Sequence, residues 1–228
     1  MPTWWLDERA HAGAEHLDPA YVAGYERKAG YDPAPDVEVL LNHGIGDRSV
    51  VVDLGAGTGV FTAAVAPHCA QVIAVDISPA MTEVLRGRFA GQPNVTVVEA
   101  GFLSYAHDGP PADAVFTRNA LHQLPDFWKA LALRRIALVL RPNGVLRLHD
   151  LVFDFGPEDV EARIAEWMSG AVDDPAAGYT AEELAEHARS EFSTYSWLFE
   201  PMLERAGFTI LDRRYVRRAY GAFTCRRG

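Results

Sequence analysis

Short apolar runs alternate along this chain with helical stripes, and most of the runs stop on a polar residue. Val50-Val51-Val52-Asp53 is the first, three β-branched apolar residues closed by a carboxylate. A run without polar alternation predicts a strand covered on both faces. Gln71 to Asp76 repeats the arrangement, Val95 to Ala100 gives a third strand, Asp113 to Asn119 a fourth and Val145 to His149 a fifth. Helical pattern fills the gaps. Val60 to Ala66 follows the first strand, and after the second Ser78 caps a helix that opens on Pro79 and runs through Met81, Val84, Leu85 and Phe89. Asp126 begins another through Trp128, Leu131, Leu138 and Leu140, which the turn Arg141-Pro142-Asn143-Gly144 ends. Helical pattern dominates from Pro157 to Ala206, and Phe208 to Val216 with Ala219 to Cys225 reads as an antiparallel hairpin.

Alternating strands and helices predict an α/β fold, a doubly wound and mostly parallel sheet with helices on both faces. One domain covers residues 1–228 in four parts: an N-terminal helical cap (1–48), a core (49–150), a helical insertion (151–206) and the closing hairpin (207–228). In such sheets ligands lie beyond the carboxyl ends of the strands. Asp53, Asp76, Ala100, Asn119 and His149 all fall near those ends, on one rim.

Composition narrows the partners. Nearly half of the 228 residues are apolar, and no apolar run reaches the about 20 residues that span a bilayer. The first nine residues carry two tryptophans and two acids before their first base, unlike a signal peptide, and Cys69 and Cys225 offer neither a disulfide framework nor a metal-ligand cluster. A cytoplasmic protein without a metal or a membrane partner is expected. The net charge is −10, and ten acids stand against Arg163 and Arg189 between Gly156 and Glu191. That segment repels a phosphate backbone, so nucleic acid is not an expected partner. The late arginines, Arg213, Arg214, Arg217, Arg218, Arg226 and Arg227, read as protection of short edge strands.

The junction after the first strand carries the chemistry. In Asp53-Leu54-Gly55-Ala56-Gly57-Thr58-Gly59 three glycines at alternate positions let a ligand approach the main chain. A dinucleotide fingerprint has a different glycine spacing, and a phosphate loop needs a Lys-Ser or Lys-Thr that is absent here. A carboxylate two residues before the first glycine suits an ammonium group better than a pyrophosphate. Asp76 can take a ribose diol.

At these residues the chain resembles the class I S-adenosylmethionine-dependent methyltransferases, in particular their small-molecule branch. The resemblance spans about Val50 to Asp150 and the final hairpin. It rests on Val52 to Gly59, on Ala74-Val75-Asp76-Ile77-Ser78-Pro79-Ala80-Met81, on Arg118-Asn119-Ala120-Leu121-His122, and on Leu140 to Leu146. It implies a Rossmann-like seven-stranded sheet and S-adenosyl-L-methionine as cofactor. Gly55, Ala56, Gly57 and Gly59 would pass close to its methionine and ribose, and Asp53 would meet its amino group. Asp76 would take the ribose hydroxyls, Ile77 and Met81 would stand near the adenine, Phe102 would cover the ring and Asn119 would meet the methionyl part. Gly101 stands about where relatives often place an aspartate for the adenine amino group, and Asn143 replaces a more usual glycine.

Methyl transfer to a small acceptor by in-line displacement is then the expected activity, with alignment and exclusion of water as the enzyme's main contributions. His122 is the candidate proton acceptor, in the loop facing the rim; His149 and Asp150 either touch the acceptor or bind neighbouring backbone. Aromatics of the cap (Trp4, Trp5, Tyr21, Tyr25, Tyr31) and of the insertion (among them Trp167, Tyr179, Phe192 and Trp197) predict a partly apolar or aromatic acceptor beneath a helical lid. Two other readings stay open at this point. One is a protein that binds the cofactor without transferring methyl; the other is an NAD(P)-dependent oxidoreductase, which the glycine spacing and Asp53 disfavour.

Overall fold

A computed structural model describes residues 2–228. The chain begins with two 3-10 turns, Glu8–His11 and Ala14–Leu17, followed by α1 (Pro19–Val22), α2 (Tyr25–Ala29) and α3 (Ala34–Asn42). The core follows as β1 (Val50–Leu54), α4 (Val60–Val65), β2 (Gln71–Asp76), α5 (Pro79–Arg88), β3 (Val95–Glu99), β4 (Ala112–Arg118), α6 (Asp126–Val139) and β5 (Leu140–Phe153). The insertion holds α7 (Val160–Met168), α8 (Ala181–Ser190), β6 (Thr194–Tyr195) and α9 (Ser196–Ala206). The hairpin of β7 (Phe208–Val216) and β8 (Tyr220–Arg227) ends the chain.

The sheet order is β3-β2-β1-β4-β5-β8-β7, with β6 paired to β5 off that path. Strands β1 to β5 are parallel, and β8 enters antiparallel between β5 and β7. The strands with continuous apolar runs are the buried ones: in β1, β2 and β4 nearly every residue is inaccessible. The edge strands β3 and β7 are half exposed, and Arg213 and Arg214 lie exposed along β7 as edge protection. One core layer joins β1, β4 and β5 to α6 and α9; a second packs α3 and α4 against the opposite face.

Eight strands form where seven were expected. The extra one, β6, pairs Thr194 with Val152, and Thr194 Oγ1 donates to Asp126 Oδ2 at 3.0 Å. Two residues are too few for an alternation to show in sequence. The fifth strand also runs longer than Val145 to His149, because Leu140 already pairs with Ala112 before the register shifts past Asn143. Asn143 sits at φ 62°, a left-handed turn that asparagine tolerates and glycine would have served. Among the described residues no helix is long and apolar enough to cross a membrane.

Candidate functional site

All three glycines of the loop after β1 have positive φ. A Cβ on Gly55 would stand 2.6 Å from Ala120 Cβ, so the loops after β1 and β4 close on each other only with glycine there. At Gly57 the left-handed turn aims the backbone N–H at Asp76: it donates to Oδ2 at 2.8 Å, while the Ser78 N–H donates to Oδ1 at 2.9 Å. Asp76 is thereby fixed at the end of β2, and burial raises its pKa despite these donors. Ser78 caps α5 as expected, its Oγ accepting from Met81 N–H at 3.2 Å.

A cavity of about 700 Å3, open at its mouth, lies over this rim. Of the residues expected around a cofactor it is lined by Gly55, Gly57, Asp76, Ile77, Met81, Gly101, Phe102 and Asn119. Asp53 and Ala56 line the adjoining cavity, of about 830 Å3, which shares Gly55, Gly57 and Asn119 with the first. Asp53 Oδ2 accepts from Thr62 Oγ1 at 2.6 Å. Burial pushes its carboxyl up to about 7, opposed by the Thr62 bond and reinforced by the nearby Asp76. Gly59 lines neither cavity. Its φ is 85°, and a Cβ there would stand 2.7 Å from both Leu85 Cδ2 and Phe89 Cε2. Its part is packing.

Glu8 carried no sequence signal, while Tyr25 was expected at the acceptor and Arg118 only as part of the fourth-strand motif. Glu8, in the first 3-10 turn, is buried and accepts from Leu103 N–H at 2.7 Å. A Cβ built on Gly101 would meet its carboxylate, with Oε1 at 2.5 Å. Burial raises the Glu8 pKa against its donors in the 103–104 backbone. Tyr25 of α2 lies across the glycine loop, its ring 3.8 Å from where a Gly57 Cβ would be. Arg118, at the end of β4, stacks on Tyr31 with 4.4 Å between guanidinium carbon and ring centroid. Among the described residues it is the only lysine or arginine on either cavity.

A third and larger cavity, of about 1460 Å3, separates the N-terminal cap from the insertion and shares His16, Tyr25 and Asn119 with the first. Tyr21, Trp167, Tyr179, Phe192 and Tyr220 supply its aromatic wall. The other expected aromatics go elsewhere. Trp4 and Trp5 pack on Trp128, Phe199 is core, Phe153 and Phe155 join the small core of the insertion, and Trp197 stacks on Tyr195 in solvent. Cap and insertion meet through Lys28, which is paired with Glu183 of α8 and sits over the rings of Tyr21 and Tyr179.

His122 lines this larger cavity. Its Nδ1 lies 2.5 Å from Asp150 Oδ1 and its Nε2 3.0 Å from Glu191 Oε2. Burial alone would lower its pKa, but the two carboxylates together push it up to about 9. With this pairing intact the imidazole keeps its proton at neutral pH, which does not suit a general base. Asp150 is also saturated by backbone, accepting from Leu121, His122 and Leu151 N–H. His149 points the other way, its Nε2 2.6 Å from Asp36 Oδ1, which also accepts from Arg147 Nε at 2.8 Å. Neither His149 nor Asp150 lines a described cavity. Asp150 binds neighbouring backbone, one of the two expectations, whereas His149 pairs with the Asp36 side chain, which neither expectation foresaw.

A family profile described as a methyltransferase domain matches residues 51–144. The chain is 37% identical over 176 residues to a demethylmenaquinone methyltransferase of Clavibacter sepedonicus, covering 72% of this chain and 67% of that one. It is 30% identical over 182 residues to a trans-aconitate 2-methyltransferase of an Azoarcus species, covering 75% and 68%. The chain belongs to the class I S-adenosylmethionine-dependent methyltransferases. Its fold is also that of the magnesium protoporphyrin IX methyltransferase of Synechocystis solved with the cofactor bound, at a TM-score of 0.65, 14% identity and full coverage of both chains. Other curated relatives match over less than half their length, 39% and 47% in two cases. The residues present fit the class's cofactor: the glycine turn admits a ligand against the backbone, Asp76 offers a carboxylate to a diol, and Phe102 with Ile77 offers apolar walls to a base. In this chain the glycine rim and the larger cavity meet at Asn119, whose left-handed φ of 47° is held by its N–H donating to His149 O at 2.9 Å.

Proposed function

We propose that the protein transfers a methyl group from S-adenosylmethionine to a small, neutral or cationic, partly aromatic acceptor held between the cap and the insertion. The carrying observation is that the cofactor cavity and the large cavity share Asn119, Tyr25 and His16, so two ligands can meet there while protein surrounds both. When bound, the cofactor supplies a methyl group already activated by a positively charged sulphur.

The chain's residues then bind and orient. Asp76 holds the ribose hydroxyls, and Asp53 faces the amino group. Arg118, the lone guanidinium nearby, pairs with the carboxylate. Glu8 takes the adenine amino group in place of the side chain that Gly101 lacks, since its carboxylate fills the space beside that glycine. Cap and insertion, tied by Lys28 and Glu183, keep water from the junction.

The acceptor's class follows from the walls. Glu15, Glu183, Glu186 and Glu191 line the large cavity, and among the described residues no lysine or arginine does. A tricarboxylate such as the relative's trans-aconitate finds no lysine or arginine there, and His122 and His187 are already paired with carboxylates, whereas tyrosine and tryptophan faces favour an aromatic or cationic acceptor. The test is production of S-adenosylhomocysteine over a panel of phenols, quinols, amines and carboxylic acids. Turnover confined to the first three classes is expected. Turnover with polycarboxylates alone contradicts the reading.

A further inference from the structure

The geometry points to a divalent transition-metal site formed by His122, His187 and Glu191, with its open side on the large cavity. The three residues come from different parts of the chain: His122 from the turn after β4, His187 from α8, and Glu191 just beyond it. Their ligand atoms all lie within 4.8 Å of one another. Donors at about 2.0–2.2 Å from one ion stand about 3.4 Å from each other, so both nitrogens, already closer than that to Glu191 Oε2, would move outward slightly to admit an ion.

Two observations separate this cluster from an ordinary ion-pair network. Both imidazoles have their remote nitrogen engaged, His122 Nδ1 with Asp150 at 2.5 Å and His187 Nε2 with Ser193 Oγ at 2.8 Å. Those partners hold the remote N–H groups, so an arriving ion that displaces the other protons finds the lone pairs of His122 Nε2 and His187 Nδ1 facing the cluster, as with the outer partners of metal-binding histidines. In addition, both of these nitrogens crowd one oxygen, Glu191 Oε2, yet neither lies in hydrogen-bonding geometry. No well-aligned hydrogen bond reaches this buried oxygen, and one cation among the three groups would satisfy it together with both imidazoles.

Two histidines and one carboxylate suit zinc and its neighbours in the first transition row rather than magnesium or calcium, which take oxygen ligands. Three protein ligands leave at least one position open. That position faces the cavity assigned above to the acceptor, and the metal's role there rests on that assignment: it takes an oxygen of the acceptor and fixes its orientation. The same ion would join the insertion to the core, where Phe192 N–H already donates to His122 O at 2.9 Å.

The experiment is titration of chelator-treated protein with cobalt(II), read by its visible absorption, and with zinc by competition. One equivalent should bind, and excess magnesium should not displace it. His187→Ala and Glu191→Gln should each weaken cobalt binding by at least about tenfold, and Ser193→Ala by about tenfold. Calorimetry with S-adenosylhomocysteine on the same samples should show unchanged cofactor binding, which confirms folding and keeps this test separate from the methyltransferase reading. Absence of cobalt binding to the unmodified protein overturns the site, whatever the variants do. Binding of undiminished strength in His187→Ala and Glu191→Gln overturns it as well.

Discussion

Glu8 and Gly101 occupy one space: a Cβ on Gly101 would stand 2.5 Å from Glu8 Oε1, although ninety-odd residues separate them in sequence. A side chain that the core lacks is thus replaced by one reaching in from the cap. Glu8→Ala should weaken cofactor binding by roughly tenfold, the worth of one hydrogen bond to a charged group. Gly101→Asp alone should also weaken it, because the new side chain collides with Glu8. The double variant should bind better than either single one. Additive losses in a calorimetric double-mutant cycle would show that the two positions do not share a role.

Asp53 gives cofactor binding a pH dependence. Its carboxyl is pushed up to about 7 by burial, so below that pH it carries a proton and has no charge for the cofactor's ammonium. Affinity should rise up to tenfold per pH unit towards about pH 7, then fall as the ligand's own amino group deprotonates near about pH 8. Burial raises Asp76 as well, so Asp53→Asn is the control: it should lower affinity and flatten the acid limb. An acid limb unchanged in Asp53→Asn assigns the dependence elsewhere. The same shift makes the fold less stable as pH rises from about 4 to about 7, because the folded protein keeps a proton that the unfolded chain has lost.

Two tryptophans of the insertion should behave differently. Trp167 is 3% exposed, lines the large cavity and donates from Nε1 to Tyr220 OH at 3.0 Å. Trp197 is 54% exposed. With an acceptor from the panel, Trp167→Ala should raise its KM by roughly tenfold or more, as loss of a buried aromatic contact does. Trp197→Ala should leave KM within about twofold, the range of a surface substitution. Equal effects would place the acceptor outside this cavity.

Gly59 was expected beside the cofactor but lines neither rim cavity. With φ at 85° and Leu85 and Phe89 in the way of a Cβ, Gly59→Ala should cost about 2–4 kcal/mol in urea unfolding. A loss below about 0.5 kcal/mol would mean that the loop yields without strain.

The parts legible in sequence were those with local causes. Strands buried on both faces announce themselves as unbroken apolar runs, and the carboxylate at each strand end with its glycine or Ser-Pro continuation marks the rim, which is why Asp53, Asp76 and Asn119 fall where expected. Glu8, Tyr25 and His187 have no such signature. They reach the cavities because the cap and α8 fold across the sheet, a tertiary relationship without a local period. The aromatics of the insertion divide between cavity, core and solvent for the same reason: Trp167 and Trp197 look alike in sequence and only packing separates them. His149 and Asp150 belong to the rim by strand position, yet Asp36 and the 121–122 backbone take them first.

The most direct test is calorimetric titration of the protein and of Asp76→Ala with S-adenosylmethionine, S-adenosylhomocysteine and NADH. The account predicts micromolar binding of the first two, weakened at least about tenfold in the variant by loss of two charge-assisted hydrogen bonds, and no binding of NADH. Binding of NADH in preference to the others, or cofactor affinity indifferent to Asp76→Ala, would contradict it.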